Sequence, residues 1–367
     1  MTRALIITIT AIITLYVFLA GSVSAHPAWG IVVDRNNQIY FSDLETIWKI
    51  DAQGKLTVFR AGVSGRHIHE LTMDEGGNLY GADYTYEPET QRYINAIWKM
   101  TPAGAFTYLL APTDNPSQGI SIWRDCRGNM YSVEQNNHTK RETLLMRRTP
   151  DGSVTRLAGG SYGHADGQGR AAKFQSVNGM AWGMDGALYL ADDMSVRRVA
   201  MDGTVKTLAA DLDKKALDNV SGDEDSYGGL MGITIDAAGN VYVADYRNRR
   251  VVKIDSAGKV STIVRAEPPF SPTGVTMDKR GNLYVLEVGF TPPRTFSGPR
   301  VRKFARDGHL TTLATVGQAE KSEARRLVRD REIEMPSVTG AVVKSRVAAI
   351  SFGMCAVCLI VWRKHKR

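Results

Sequence analysis

Apolar residues in this chain come in short alternating bursts separated by Asp, Asn and Gly, and the bursts recur in phase. One strand-turn-strand phrase is written as GIVVDRNNQIYFSD (30–43), ELTMDEGGNLYGAD (70–83), SIWRDCRGNMYSVE (121–134), GMAWGMDGALYLAD (179–192), GITIDAAGNVYVAD (232–245) and GVTMDKRGNLYVLE (274–287). Each is followed by a third burst: TIWKID, AIWKMT, LLMRRT, VRRVAM, VVKIDS and VRKFAR. A turn glycine and a fourth burst close the unit. Those glycines, Gly54, Gly104, Gly152, Gly203, Gly258 and Gly308, stand about fifty residues apart.

Period-two alternation bounded by Asn-Gly-type turns predicts short antiparallel strands joined as hairpins. Four strands per unit make a meander whose two faces are bare. Packing the units face to face around an axis buries both faces and leaves only short edges. The predicted fold is therefore all-β, a six-bladed β-propeller of four-stranded antiparallel blades over residues 26–315. The strands stay in phase from the first unit to the last, so closure needs no blade shared between the termini.

The two ends depart from this pattern. Residues 1–25 carry one basic residue, a long apolar run and Val23-Ser24-Ala25, which predicts a signal peptide or signal anchor helix. Residues 347–362 contain no charge and are followed by the basic tail 363–367. Sixteen helical residues span about 24 Å, enough to approach a bilayer core of roughly 30 Å with flanking side chains snorkelling. A C-terminal transmembrane helix is expected, its tail cytoplasmic by the positive-inside rule. A C-terminal sorting signal of apolar helix plus basic residues is the alternative. Between propeller and helix, residues 316–346 read as a charged stalk. The body would then lie outside the cytoplasm, at the periplasm or cell surface, with the membrane as one partner.

Composition changes the picture only by exclusion. The net charge of +8 is concentrated at the ends, in Arg3, Lys344, Arg346, Arg363, Lys364, Lys366 and Arg367. The body is nearly neutral, so nucleic acid is not expected as a partner. Cys126 stands alone, while Cys355 and Cys358 fall in the apolar tail, so no disulfide framework is expected.

Residues 166–209, beginning DGQGRAAKF and running through ALYLAD, resemble an NHL repeat, as do residues 232–255. The resemblance extends loosely over all six units and implies an NHL-type propeller. It implies no single activity, because propellers of this kind include scaffolds, lyases, hydrolase relatives and sensor domains.

Propellers bind ligands at the axis, where the innermost strands begin. In the second unit that position holds His67, His69 and Glu70. Strand alternation places the two histidines on one side and Glu70 on the other. His67 and His69 are thus candidate metal ligands, for zinc or calcium, with His26, His138 or Glu70 to complete a set. Asn178 joins His67, His69, Glu70 and His138 as a candidate ligand-binding residue. The metal site of SMP-30/gluconolactonase relatives resembles a Glu in an E-G-P-x-W phrase, an Asn before Gly and an Asp before Gly. Here Ala25, Asn178 and Met231 occupy those places, so only Asn178 matches. Lyases of the NHL group hold zinc with histidines, which keeps His67 and His69 open to that use.

The acids ending the second strands, Asp43, Asp83, Glu134, Asp192, Asp245 and Glu287, are expected to hold turns rather than a cation. Insertions at 84–98, 135–142 and 288–300 exceed ordinary hairpin loops and suit recognition. The expected function is an exported, membrane-tethered scaffold that binds a protein or small molecule. The alternative is a metal-dependent hydrolase or lyase at the axial mouth.

Overall fold

The computed structural model describes residues 27–114, 123–136, 141–212, 229–291 and 295–334. The expected signal segment, the apolar helix 347–362 and His138 lie outside the described residues. Within them no helix is long and apolar enough to cross a membrane.

Six antiparallel sheets follow one another along the chain. Blade 1 is Ile31–Val33, Ile39–Ser42, Ile47–Ile50 and Leu56–Arg60. Blade 2 splits its innermost strand into Arg66–His67 and Leu71–Met73, both paired with Leu79–Glu87, before Arg92–Met100 and Phe106–Thr113. Blade 3 begins with the short Trp123–Arg124 and ends at Val154–Ser161. Blade 4 runs from Val177–Trp182 to Thr204–Ala209, where Gly167–Gln168 adds a fifth, outer strand. Blade 5 spans Leu230–Ile235 to Val260–Arg265, and blade 6 spans Phe270–Met277 to Leu310–Thr315.

The turn between first and second strands repeats one side-chain device. In blade 2 Asp74 accepts hydrogen bonds from the Asn78 side chain and from the Tyr80 hydroxyl. The same clasp joins Asp125, Asn129 and Tyr131, then Asp236, Asn240 and Tyr242, then Asp278, Asn282 and Tyr284. An aspartate that bonds the backbone ahead of it fixes the tight turn. The adjacent tyrosine ring continues into the core between blades.

Innermost strands touch in ring order, and that of blade 1 lies between those of blades 2 and 6. The ring closes with every blade built from its own continuous chain. Glycine makes the closeness possible. A Cβ on Gly274 would lie 2.2 Å from the Trp29 carbonyl oxygen, and one on Gly179 would lie 2.3 Å from that of Met231. Gly30 and Gly232 approach the next blade similarly. In blade 2 the same position is Glu70.

Hydrophobic clusters fill the seams between blades. Phe174 and Leu190 join blade 4 to blade 3, and Val252 and Leu230 join blade 5 to blade 4. At the seam of blades 2 and 3 the apolar cluster among the described residues is small, Ala82 and Ile97 with Leu110 and Met130 packed against them. After blade 6 the charged segment forms helix α1, Gln318–Glu334. Its first turns lie against the propeller rather than standing clear of it: Ala324 and the preceding Val316 are buried with Phe41, Trp48 and Leu286 at the seam of blades 6 and 1.

Candidate functional site

The residues just before the inner-strand position that is glycine in blades 1, 4, 5 and 6 hold equivalent places around the axis. By repeat position they are Trp29, His69, Asn178, Met231 and Thr273, with Ile120 outside the described residues. Blades 4, 5 and 6 place an irregularity in strand pairing there, between Val177 and Gly179, between Leu230 and Ile233, and between Pro272 and Gly274. Blade 2 carries the same device further. His67 opposes Tyr84 and Leu71 opposes Gly81, so four steps on one strand face three on the other.

That bulge overturns the alternation expected from sequence. His69 and Glu70 fall in the unpaired stretch between the two short strands, and both are buried, at 1% and 8% exposure. The His67 and His69 rings meet edge to face at 5.9 Å. Trp29 and Tyr84 complete an aromatic wall, their centroids 5.3 Å and 6.0 Å from that of His69. Blade 1 pins the segment through a bond from Trp29 N–H to the His69 carbonyl at 3.0 Å and from the Ser42 hydroxyl to the Ile68 carbonyl at 2.8 Å.

Glu70 takes the bond from the Trp29 indole N–H at 2.8 Å. Burial pushes its carboxyl well above the usual carboxylate range, and the Trp29 and Trp123 indoles only partly offset this. Trp123 acts through proximity, since its Nε1 makes no full hydrogen bond. Burial likewise lowers the His67 pKa, against the pull of the Glu45 charge. The site thus sets a carboxyl whose pKa burial raises beside one imidazole, His67, whose pKa burial lowers.

The structure brings His67, His69 and Glu70 together. Asn178 sits on the mouth ring in blade 4, where its amide donates to the Leu230 carbonyl at 3.0 Å and its oxygen accepts from Ser176. Among the described residues no three His, Cys, Asp or Glu side chains converge as a metal-ligand set. The strand-end acids are engaged elsewhere. Asp43 accepts from the Thr46 amide and Trp48 indole, and Asp83 from Arg60 and the Trp98 indole. Asp192, Asp245 and Glu287 pair with Arg197, Arg250 and the pair Arg300 and Arg302.

Trp29, Tyr84 and Trp123 were not singled out among the candidate residues. Only repeat alignment hinted at Trp29, which stands where blade 2 has His69. The hairpin bearing Tyr84 runs past the strand-end acid to Glu87 and back from Arg92. Tyr84 and Tyr93 stack there at 4.4 Å and 4°, with Tyr86 beside them. The blade 6 hairpin likewise extends beyond Glu287, pairing Gly289 with Ser297.

Fold and mouth together define a six-bladed propeller with an aromatic and histidine-lined axial face. The family model for the SMP-30/gluconolactonase/LRE-like region matches residues 27–288. The chain belongs to that family. No curated protein sequence matches it. Among solved structures, one from Bacteroides thetaiotaomicron is similar at 18% identity, covering 71% of this chain and 67% of that one, with a TM-score of 0.50. Virginiamycin B lyase from Staphylococcus aureus is similar at 15% identity over 78% of this chain and 83% of that one, TM-score 0.47. XC5397 from Xanthomonas campestris, a gluconolactonase, is similar at 15% identity over 71% and 83%, TM-score 0.49. At these identities the likeness concerns the fold.

Proposed function

We propose that this propeller is a binding module held outside the cytoplasm by its membrane-directed ends, and that its ligand or protein partner docks at the mouth beside blade 2. One observation carries the reading. Where lactonase relatives supply charged ligands at the inner-strand positions, this chain has Met231, and Asn178 is already committed to the Leu230 carbonyl. The residues present do not fit that family metal site. They fit recognition instead: half-buried His67, Trp29 and Tyr84 surround the buried His69, and the tyrosine hairpin rises next to them. Aromatic side chains on a rigid scaffold give large contact area at small entropic cost.

A second reading has its own support. Burial raises the Glu70 pKa beside His69, which favours the protonated form a general acid needs. A hydrolase or lyase could use that pair, with zinc or calcium on His67 and His69 in its metal-dependent form. Metal analysis of the purified full-length protein separates the two. Folded protein without stoichiometric metal, and without metal-stimulated lactone hydrolysis, fits the binding module. Stoichiometric zinc or calcium that disappears in His67→Ala and His69→Ala variants would overturn it.

A further inference from the structure

Helix α1 leans over the rim of blade 1 and flanks a half-open cavity of about 210 Å³. That is below the roughly 300–1,000 Å³ of sites for drug-sized ligands, so only a small molecule fits. One wall is the turn 43–46 with Gly62 and His67, and the other is Lys321, Ala324 and Arg325 of α1.

The turn is held in a demanding conformation. Leu44 has φ +85°, a left-handed backbone that L side chains rarely adopt. The Leu44 amide donates to the Ser42 hydroxyl at 3.1 Å, and Leu44 bridges to Ile68 of blade 2. Gly62 permits the close approach, since a Cβ there would lie 2.7 Å from Thr46 Oγ1. Strain maintained by this much surrounding structure points to a use for the turn. Its product is the placement of Glu45. One carboxylate oxygen accepts from the Gly65 amide at 2.8 Å, and the carboxylate lines the cavity with His67, on which its charge acts. Asp43 beside it is occupied by the Glu45 and Thr46 amides and the Trp48 indole, so it adds charge without a free acceptor position toward a ligand.

On the helix side, Lys321 and Arg325 stand four residues apart and share a face. Neither forms an ion pair among the described residues, although carboxylates line the same cavity. Opposite charges thus face each other across a gap they do not close. A ligand carrying both charges would bridge it, anionic end to the helix and cationic end to the turn.

We propose that this cavity binds a small zwitterion of the free amino acid class, its carboxylate on Lys321 and Arg325 and its ammonium on Glu45. The site is separate from the axial mouth and shares only His67 with it, so either can fail without the other.

Isothermal titration of the full-length protein with glycine, alanine and leucine, and with acetate and methylammonium, is the test. A zwitterion is expected to bind at least about tenfold more tightly than either singly charged fragment. Glu45→Gln keeps an oxygen for the Gly65 amide, and the double change Lys321→Ala with Arg325→Ala leaves buried Ala324 in place. Each should weaken binding about tenfold or more without lowering the melting temperature. Acetate or methylammonium binding as tightly as the amino acids would overturn the proposal. So would folded protein that takes up none of the zwitterions, or binding unchanged in both variants.

Discussion

Glu70 is a buried carboxyl where the corresponding residues of blades 1, 4, 5 and 6 are glycine. Its raised pKa means that the native protein holds a proton which the unfolded chain releases near pH 4.3. Stability from this group therefore falls as pH rises from the unfolded value toward the native one. Glu70→Gln removes that slope while retaining an acceptor for Trp29. The variant should gain on the wild type steadily from pH 4.5 upward, as read by urea midpoints across a pH series. Arg197 behaves oppositely. It is fully buried and bonded to buried Asp192 and to Asp166, the first residue of the DGQG phrase. Arg197→Ala strands Asp192 without its cation and should cost about 3–5 kcal/mol in denaturant unfolding. Sequence alone showed His67 and His69, because both break the repeat pattern. It did not show that Trp29 and Trp123 flank Glu70, since only the packing of three successive blades brings them to that carboxyl. Nor did it show the backbone of Leu44, whose side chain resembles any other apolar turn neighbour.

Strands and their turns were the most legible level, because alternation and the recurring D-x-x-G-N-x-Y spacing are local. The clasp itself was not read, although the spacing was present. Burial opposes charge on Asp74, Asp236 and Asp278, yet donors from the Asn, Tyr and backbone groups outweigh it and hold all three below the usual range. Their stabilisation is complete above about pH 3.9 and is lost as pH falls toward the native values. A triple Asp→Asn variant should show a flatter acid limb in a pH series of unfolding midpoints. The inner strands set a steric limit of another kind. Gly274→Ala drives a methyl against the Trp29 carbonyl and should cost about 1–3 kcal/mol by the same measurement. The bulge in blade 2 was misjudged as a regular strand, since two histidines spaced by one residue look identical in either geometry. Shortening the tyrosine hairpin to a tight turn between residues 85 and 94 should leave the melting temperature within a few degrees. Partner binding at the mouth should disappear.

At the scale of the molecule, repeat counting was sufficient to give the blade number, and in-phase strands anticipated closure without a shared blade. The docking of α1 was hidden because its charged composition masks a few small packing residues, Val316 and Ala324. Membrane tethering is testable directly: the protein should sediment with membranes, resist extraction by high salt and be released by detergent. Seam composition has a mechanical meaning as well. From blade 4 round to blade 2, glycines press backbone on backbone like the coils of a tight spring. Between blades 2 and 3 a carboxyl and an indole intervene, and among the described residues the apolar cluster there is small, centred on Ala82 and Ile97. The propeller is better pictured as a split washer than as a solid ring. Native-state hydrogen exchange should find the amides of Leu71–Met73 and Trp123–Arg124 opening ahead of the inner strands of blades 4 to 6. Breathing at that split would widen the mouth where the histidines and tyrosines already stand, so the least costly deformation of the fold and the admission of a guest become one movement.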